Sequence, residues 1–241
     1  MKFLLSPRIP VFLAALLVTP LALAVAPTPD ELAAARQWAA AKFQGRFSTP
    51  APQPGSPKEQ PSLNAPGPPF AFIYDGRPSA ELLSAWPLEQ SSRDRDQSQT
   101  ERSLTWADPK TGLQVRCVAI EYHDFPTVEW TLYFKNTGTS ATPILENIDA
   151  LNLALERGTN GEFLLHHNIG SPADGNDYGP LETPLGPKAT KRLGAAGGRP
   201  TNTDWSYFNL EWPGQGLILA VGWPGQWAAE FAPIRRDDQC E

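Results

Sequence analysis

The run Gly112-Leu-Gln-Val-Arg-Cys-Val-Ala-Ile-Glu-Tyr-His-Asp-Phe-Pro-Thr-Val-Glu-Trp-Thr-Leu-Tyr-Phe-Lys-Asn-Thr-Gly138 decides the fold. Within it Leu113, Val115, Cys117 and Ala119 share one face, and Gln114 and Arg116 take the other. Val128, Trp130, Leu132 and Phe134 then alternate with Glu129, Thr131, Tyr133 and Lys135. Side chains of a strand point to opposite faces in turn, so a period of two predicts two half-buried strands sharing a core face. Asn136-Thr-Gly138 closes the second of them.

The same pattern extends in both directions. Upstream, Leu104 and Trp106 precede the turn Asp108-Pro-Lys-Thr-Gly112, and the strongly polar Ser91–Arg102 predicts a solvated hairpin edge. Phe70–Tyr74 starts the strands, and Gly76–Trp86 is a short mixed segment. Downstream, Ile144–Leu155 predicts a strand or a pair, with Leu151, Leu153 and Leu155 on one side. Glu162–His167 predicts another. Leu210–Trp212 is expected to pair with Leu217–Gly222 through Pro213-Gly-Gln-Gly216, and the wholly apolar Leu217–Gly222 is expected at the centre of its sheet. Strands at short spacing, with no helical period between them, predict an all-β antiparallel sandwich over residues 70–231.

Ahead of it, Pro29–Phe43 carries a helical period and Asp30-Glu31 favour its start. Ser48–Pro69 is rich in Pro, Gly and Ser and predicts a linker or an extended arm, so residues 27–69 are expected as helix plus arm. Residues 1–26 predict a secretory signal: Lys2 and Arg8 precede the apolar Val11–Ala24, and Ala22-Leu23-Ala24 or Ala24-Val25-Ala26 offers a cleavage site. The apolar run is short for a membrane span and Pro20 interrupts it. The expected location is secreted or periplasmic, with no membrane contact once the signal is removed; the other reading is an uncleaved anchor.

Composition narrows the function classes. A net charge of -6 offers no basic patch to neutralise phosphates, so nucleic acid is not an expected partner. With 26 Pro and 19 Gly, turns are abundant, and eight Trp beside five Tyr suit a sandwich whose loops pack rings against sugar C–H faces. Two cysteines make no disulfide framework; Cys117 is expected as a buried core thiol and Cys240 as a tail thiol. No phosphate loop, nucleophile elbow or His/Cys metal spacing occurs, and no cofactor is expected.

The run Gly112–Gly138 is followed by Pro143-Ile-Leu-Glu-Asn-Ile148, Gly197-Gly-Arg-Pro-Thr-Asn202, Phe208-Asn-Leu-Glu-Trp212 and Ala220-Val-Gly-Trp-Pro-Gly-Gln-Trp227. In order and spacing these strings resemble the N-terminal domain of glycoside hydrolase family 36 (clan D, melibiase-like) α-galactosidases, over roughly residues 68–229. The resemblance implies a β-supersandwich of the galactose-mutarotase type, ahead of a (β/α)8 barrel that carries two catalytic aspartates. A retaining glycosidase needs two carboxyls about 5 Å apart. Residues 232–241 form a charged tail that does not continue the pattern and is expected to come from a shifted frame, an early stop or a gene fragment. No barrel motif is present, so no catalytic residue is carried over. The resemblance implies a non-catalytic sandwich that packs on the barrel and shapes a sugar pocket, with a galactoside or other carbohydrate and the barrel as partners. A stand-alone carbohydrate-binding module and a mutarotase-like isomerase are the alternatives.

Three groups of residues are candidates for chemistry. Arg199, Asn202, Asp204, Trp205, Trp223 and Trp227 fall in turns or at strand ends; the resemblance implies a sugar- or barrel-facing edge, and the alternative for Trp223 and Trp227 is core packing. His166-His167 with a nearby carboxylate has the groups for proton exchange with a sugar. Neighbours on a strand face opposite ways, so the other reading is one buried and one exposed imidazole. Asp174, Asn176 and Asp177, within Gly170–Gly179, offer oxygen ligands for Ca²⁺ or, without the full loop pattern, a polar turn built by Asx hydrogen bonds.

Overall fold

The computed structural model describes residues 26–43, 66–156 and 161–233. The expected signal segment, most of the arm, and the tail with Cys240 lie outside the described residues. Elements follow in the order α1 (Pro29–Phe43), β1 (Ala71–Tyr74), β2 (Arg77–Pro78), α2 (Ser79–Ala85), β3 (Leu88–Asp94), β4 (Gln99–Ala107), β5 (Leu113–Tyr122), β6 (Val128–Asn136) and β7 (Leu145–Asp149). Then come β8 (Phe163–Asn168), β9 (Pro180–Leu185), β10 (Lys191–Ala195), β11 (Tyr207–Trp212), β12 (Gln215–Ala220) and β13 (Trp227–Phe231). Every strand pairing among the described residues is antiparallel, and the protein is an all-β sandwich with short helices.

The helix α1 starts where local chemistry dictates. Thr28 and Glu31 form a reciprocal capping box: Thr28 Oγ1 accepts from the Glu31 amide at 3.3 Å, and the Glu31 carboxylate accepts from the Thr28 amide at 2.7 Å. Pro29 takes the first helical position, where its missing N–H costs nothing. The far end of the helix buries Ala39 and Phe43, and Trp38, Phe43 and Trp130 meet with centroids 5.7–5.8 Å apart.

The sheet β3-β4-β5-β6 follows the predicted alternation closely. Leu104, Cys117 and Leu132 align across three strands, as do Trp106, Val115 and Phe134. Above this face lies the sheet β2-β1-β7; Phe70 packs edge-on against Trp106 at 6.0 Å and Phe72 against Phe134 at 5.5 Å. The inner face ends in a largely buried ion pair, Arg102 to Glu121 at 2.9 Å. Burying rings of this size contributes about 1.5–3 kcal/mol each, which makes this layer the main apolar store of the fold. Burial also pushes the Cys117 thiol up to about 12.

A second core forms from the strands that follow β7. The sheet β12-β11-β8-β9 turns Leu165, Phe208, Leu210 and Trp212 inward, and the pair β10-β13 covers them with Leu193, Ala195 and Trp227. Phe208 sits between Trp227 at 5.6 Å and Phe231 at 5.8 Å. The expected sandwich over 70–231 therefore carries two separate apolar clusters rather than one continuous core.

Two strand expectations are corrected. Only Leu145–Asp149 of the stretch Ile144–Leu155 is a strand. Beyond it the backbone is held by other partners: Trp130 Nε1 donates to the Ala150 carbonyl at 2.8 Å, and the Asn152 amide donates to the Pro69 carbonyl at 2.7 Å. Leu217–Gly222 is not central either; β12 is the edge of its sheet, and Ile218 is 75% exposed. An apolar run reports burial on average and does not say which strand has a neighbour on both sides. The hairpin joining it to β11 is tighter than expected, since Trp212 pairs with Gln215 and only Pro213-Gly214 turn the chain. Gly214 has φ 73, the left-handed conformation that the second central residue of such a Pro-Gly turn requires.

Candidate functional site

The outward face of the second four-stranded sheet gathers the chemistry. The alternation in Tyr207-Phe-Asn-Leu-Glu-Trp212 turns Phe208, Leu210 and Trp212 into the core and leaves Tyr207, Asn209 and Glu211 outside. Register places Asn209 between Ile218 and His166, and His166 opposite Glu182.

His166 joins two carboxylates on neighbouring strands. Its Nε2 lies 3.1 Å from Glu211 Oε2, and its Nδ1 lies 3.3 Å from Glu182 Oε1. A neutral imidazole donates to one of these and an imidazolium to both. The glutamates stay open to solvent while the ring between them is half-buried. The next residue points the other way, as strand geometry demands. His167 is 3% exposed, with Nε2 3.0 Å from Thr183 Oγ1 and Nδ1 without a partner among the described residues. Desolvation, reinforced by the positive charge of Lys191 and opposed by Asp204, holds the His167 pKa below the usual imidazole value.

Three aromatic rings stand at one end of this face. Trp205 stacks on Tyr207 at 5.6 Å with a 24° interplanar angle, and Tyr178 meets Trp205 edge-on at 4.8 Å. Tyr178 and Tyr207 remain 49% and 52% exposed. Aromatic rings that contact one another usually do so to leave water; here Tyr178 and Tyr207 hold the partly buried Trp205 while about half of each stays in water.

The loop that carries Tyr178 is built with some strain. Tyr178 has φ 61 and Ala173 φ 73, conformations that side-chain-bearing residues adopt at a cost of order 1 kcal/mol. The compensation is dense local bonding. The Asp177 carboxylate accepts from Ser171 Oγ at 2.8 Å and from the amides of Ala173 at 3.0 Å and Asp174 at 3.1 Å. These bonds, that of the Asp174 amide foremost, hold its pKa below the usual carboxylate range, and the charge of Arg199 adds to them. Asn168 Nδ2 donates to the Tyr178 carbonyl at 2.9 Å, and the Trp205 amide donates to the Asn168 carbonyl at 3.0 Å. One strand end thus fixes both sides of the ring group. Gly170 is required here: a side chain at that position would collide with the Thr201 carbonyl.

The six residues expected at a sugar- or barrel-facing edge divide by role. Trp205 joins the ring group. Arg199 is exposed near Asp177, and Trp223 is exposed beyond the end of β12. Asn202 clamps the Gly197-Gly198 turn, accepting from the Ala196 amide and donating to the Ala196 carbonyl. Asp204 accepts from the Gly194 amide at 2.8 Å. Both side chains are therefore occupied in holding backbone. Trp227 is a core residue, 8% exposed, with its indole N–H donating to the Pro200 carbonyl at 2.6 Å. Asp174 and Asp177 spend their oxygens on the loop's own amides, the Asx alternative.

Tyr178, Tyr207, Glu182 and Glu211 are members of the face that sequence reasoning missed. The signal for Tyr207 and Glu211 was present in the alternation from Tyr207 to Trp212. None existed for Glu182, which reaches His166 only through the pairing of β9 with β8. A groove of about 360 Å³ between α1 and the β3–β4 hairpin, lined by Phe43, Gln90, Ser91, Ser92, Arg102 and Ser103, has neither the open rings nor the exposed carboxylates of this face. No protein-family model matches the chain, and no curated protein matches it.

Proposed function

We propose that this chain is a non-catalytic carbohydrate-recognition sandwich serving an exported glycoside hydrolase of the α-galactosidase type. The observation that carries the reading is the open ring group Tyr178–Trp205–Tyr207 on the same sheet face as Glu182, His166 and Glu211. Flat rings accept the apolar C–H face of a pyranose, and carboxylates accept its hydroxyl hydrogens. The resemblance of residues 68–229 to the sandwich of α-galactosidases supports the same ligand class.

Calorimetric titration of the purified chain with galactose and α-galactosides tests it. Saturable heat is expected, with Trp205→Ala weakening binding by about tenfold, the loss of roughly 1.4 kcal/mol of stacking. A chain that binds no sugar but binds an apolar-surface dye, with the dye signal lost in Trp205→Ala, would instead make this face a packing surface for a catalytic domain.

The position of His166 between two carboxylates favours a second reading, a mutarotase-like isomerase, because acid and base lie within reach of one substrate. Polarimetry separates the two. The isomerase accelerates mutarotation of α-galactose and loses this in His166→Ala; the recognition domain leaves the rate at that of buffer.

A further inference from the structure

We infer that the ligand of this face is a neutral oligosaccharide of at least two pyranose rings, one lying on Trp205 and Tyr207 and the next hydrogen-bonded to Glu182 and Glu211. The inference rests on the carbohydrate reading and extends it to ligand length and charge.

Length follows from the strand. Tyr207, Asn209 and Glu211 are successive outward residues of β11, so the Tyr207 and Glu211 positions are about 13 Å apart at 3.3 Å per residue. That separation exceeds one sugar ring and suits two in a chain. Asn209 stands midway, opposite His166, and offers both a donor and an acceptor between the ends.

Charge follows from the polar end. Glu182 and Glu211 approach His166 from either side, so at most one positive charge faces two negative ones. Both carboxylates are more than half exposed, and each keeps acceptor positions that His166 does not use. Hydroxyl groups satisfy such acceptors. A uronate or sulfate would bring a further negative charge against them, on a chain whose net charge is already -6. His166 is the positioning residue: it ties two carboxylates on different strands to one ring, so that their spacing is set before the ligand arrives.

The experiment is calorimetry on the full chain with galactose, an α-linked galactose disaccharide and the corresponding galacturonate disaccharide. The neutral disaccharide is expected to bind about tenfold more tightly than galactose, and the galacturonate at least about tenfold more weakly than the neutral disaccharide. Glu211→Gln and Glu182→Gln are each expected to bring the disaccharide down toward the affinity of galactose. Both residues are solvent-exposed, so retained circular dichroism confirms that the variants are folded. Equal affinity for galactose and the disaccharide, unchanged affinity in both glutamate variants, or equal affinity for the galacturonate each overturns this inference and leaves the carbohydrate reading standing. Absence of binding to any of the sugars overturns both.

Discussion

The two halves of the sandwich use the same alternation for different ends. In the first half the strands β4, β5 and β6 run nine or ten residues in unbroken register, and Trp106, Trp130 and Phe134 turn toward the core while Tyr133 stays outside. Its arginines are engaged across strands: Arg93 with Glu101 at 2.9 Å, Arg102 with Glu121 at 2.9 Å, and Arg116 over the Tyr133 ring at 4.8 Å. In the second half the strands of the four-stranded sheet are six residues long, and the loops between them carry left-handed Ala173 and Tyr178. There Tyr178 and Tyr207 stay about half exposed beside a partly buried Trp205, and two glutamates share one histidine. A long, regular ladder places most of its free energy in burial. A short ladder with strained loops gives up some of that and gains a shaped surface.

The strongest way to break this contrast is to empty the first core. Trp106 is 1% exposed, and Trp106→Ala is expected to cost about 3–5 kcal/mol in urea unfolding. If the halves are separate cooperative units, near-ultraviolet dichroism from the Tyr178–Trp205–Tyr207 group survives the loss of the first transition. If they unfold together, both signals shift by the same amount and the contrast is one of shape alone. Leu165→Ala in the second core is expected to cost about 2–5 kcal/mol and to erase that dichroism first.

Acid sharpens the comparison at a smaller scale. His167 is buried, with its pKa held below 6.5, so the unfolded chain takes up a proton more readily than the folded one. Its contribution to stability is complete above about pH 6.5 and is lost as the pH falls through the lower, folded value. The second half is therefore expected to loosen in mild acid before the first. His167→Phe is expected to flatten that loss, which unfolding curves across the range would show. The smallest expected effect is at Tyr178. Tyr178→Gly relieves the left-handed backbone while removing a ring contact, so stability is expected to stay within about 1 kcal/mol while sugar affinity falls.

Much of the first half was legible in the sequence because period two, turn chemistry and acidic residues at a helix start are local signals. Pro29–Phe43 is a helix to the residue, and Leu113, Val115, Cys117 and Ala119 are all buried as their spacing predicts. The second half was legible in its strands and not in its neighbours. That β12 lies at an edge depends on which strands lie beside it, and nothing in Leu217–Gly222 records that. The face with His166 is assembled from β8, β9 and β11, elements about 15 and 45 residues apart. Its histidine is a candidate from the sequence, whereas its glutamates join it only through strand register. Trp227 shows the converse: a Trp in a turn-rich stretch suggests a surface, and one hydrogen bond to the Pro200 carbonyl lets the indole be buried instead.

Cys117 gives the first half a property the second lacks. It lies at the centre of β5, paired with Leu104 on one side and Leu132 on the other, with no surface of its own. A thiol attacks a disulfide reagent only as thiolate, and this one is held in its neutral form as well as out of reach. In a Cys240→Ser background, labelling must wait for the sheet β3–β6 to part, and at low reagent its rate follows the population of that opened state. The protein therefore carries an internal clock for one of its two cores. If the second half binds sugar as proposed, whether added sugar slows that clock is a direct reading of how firmly the two are coupled.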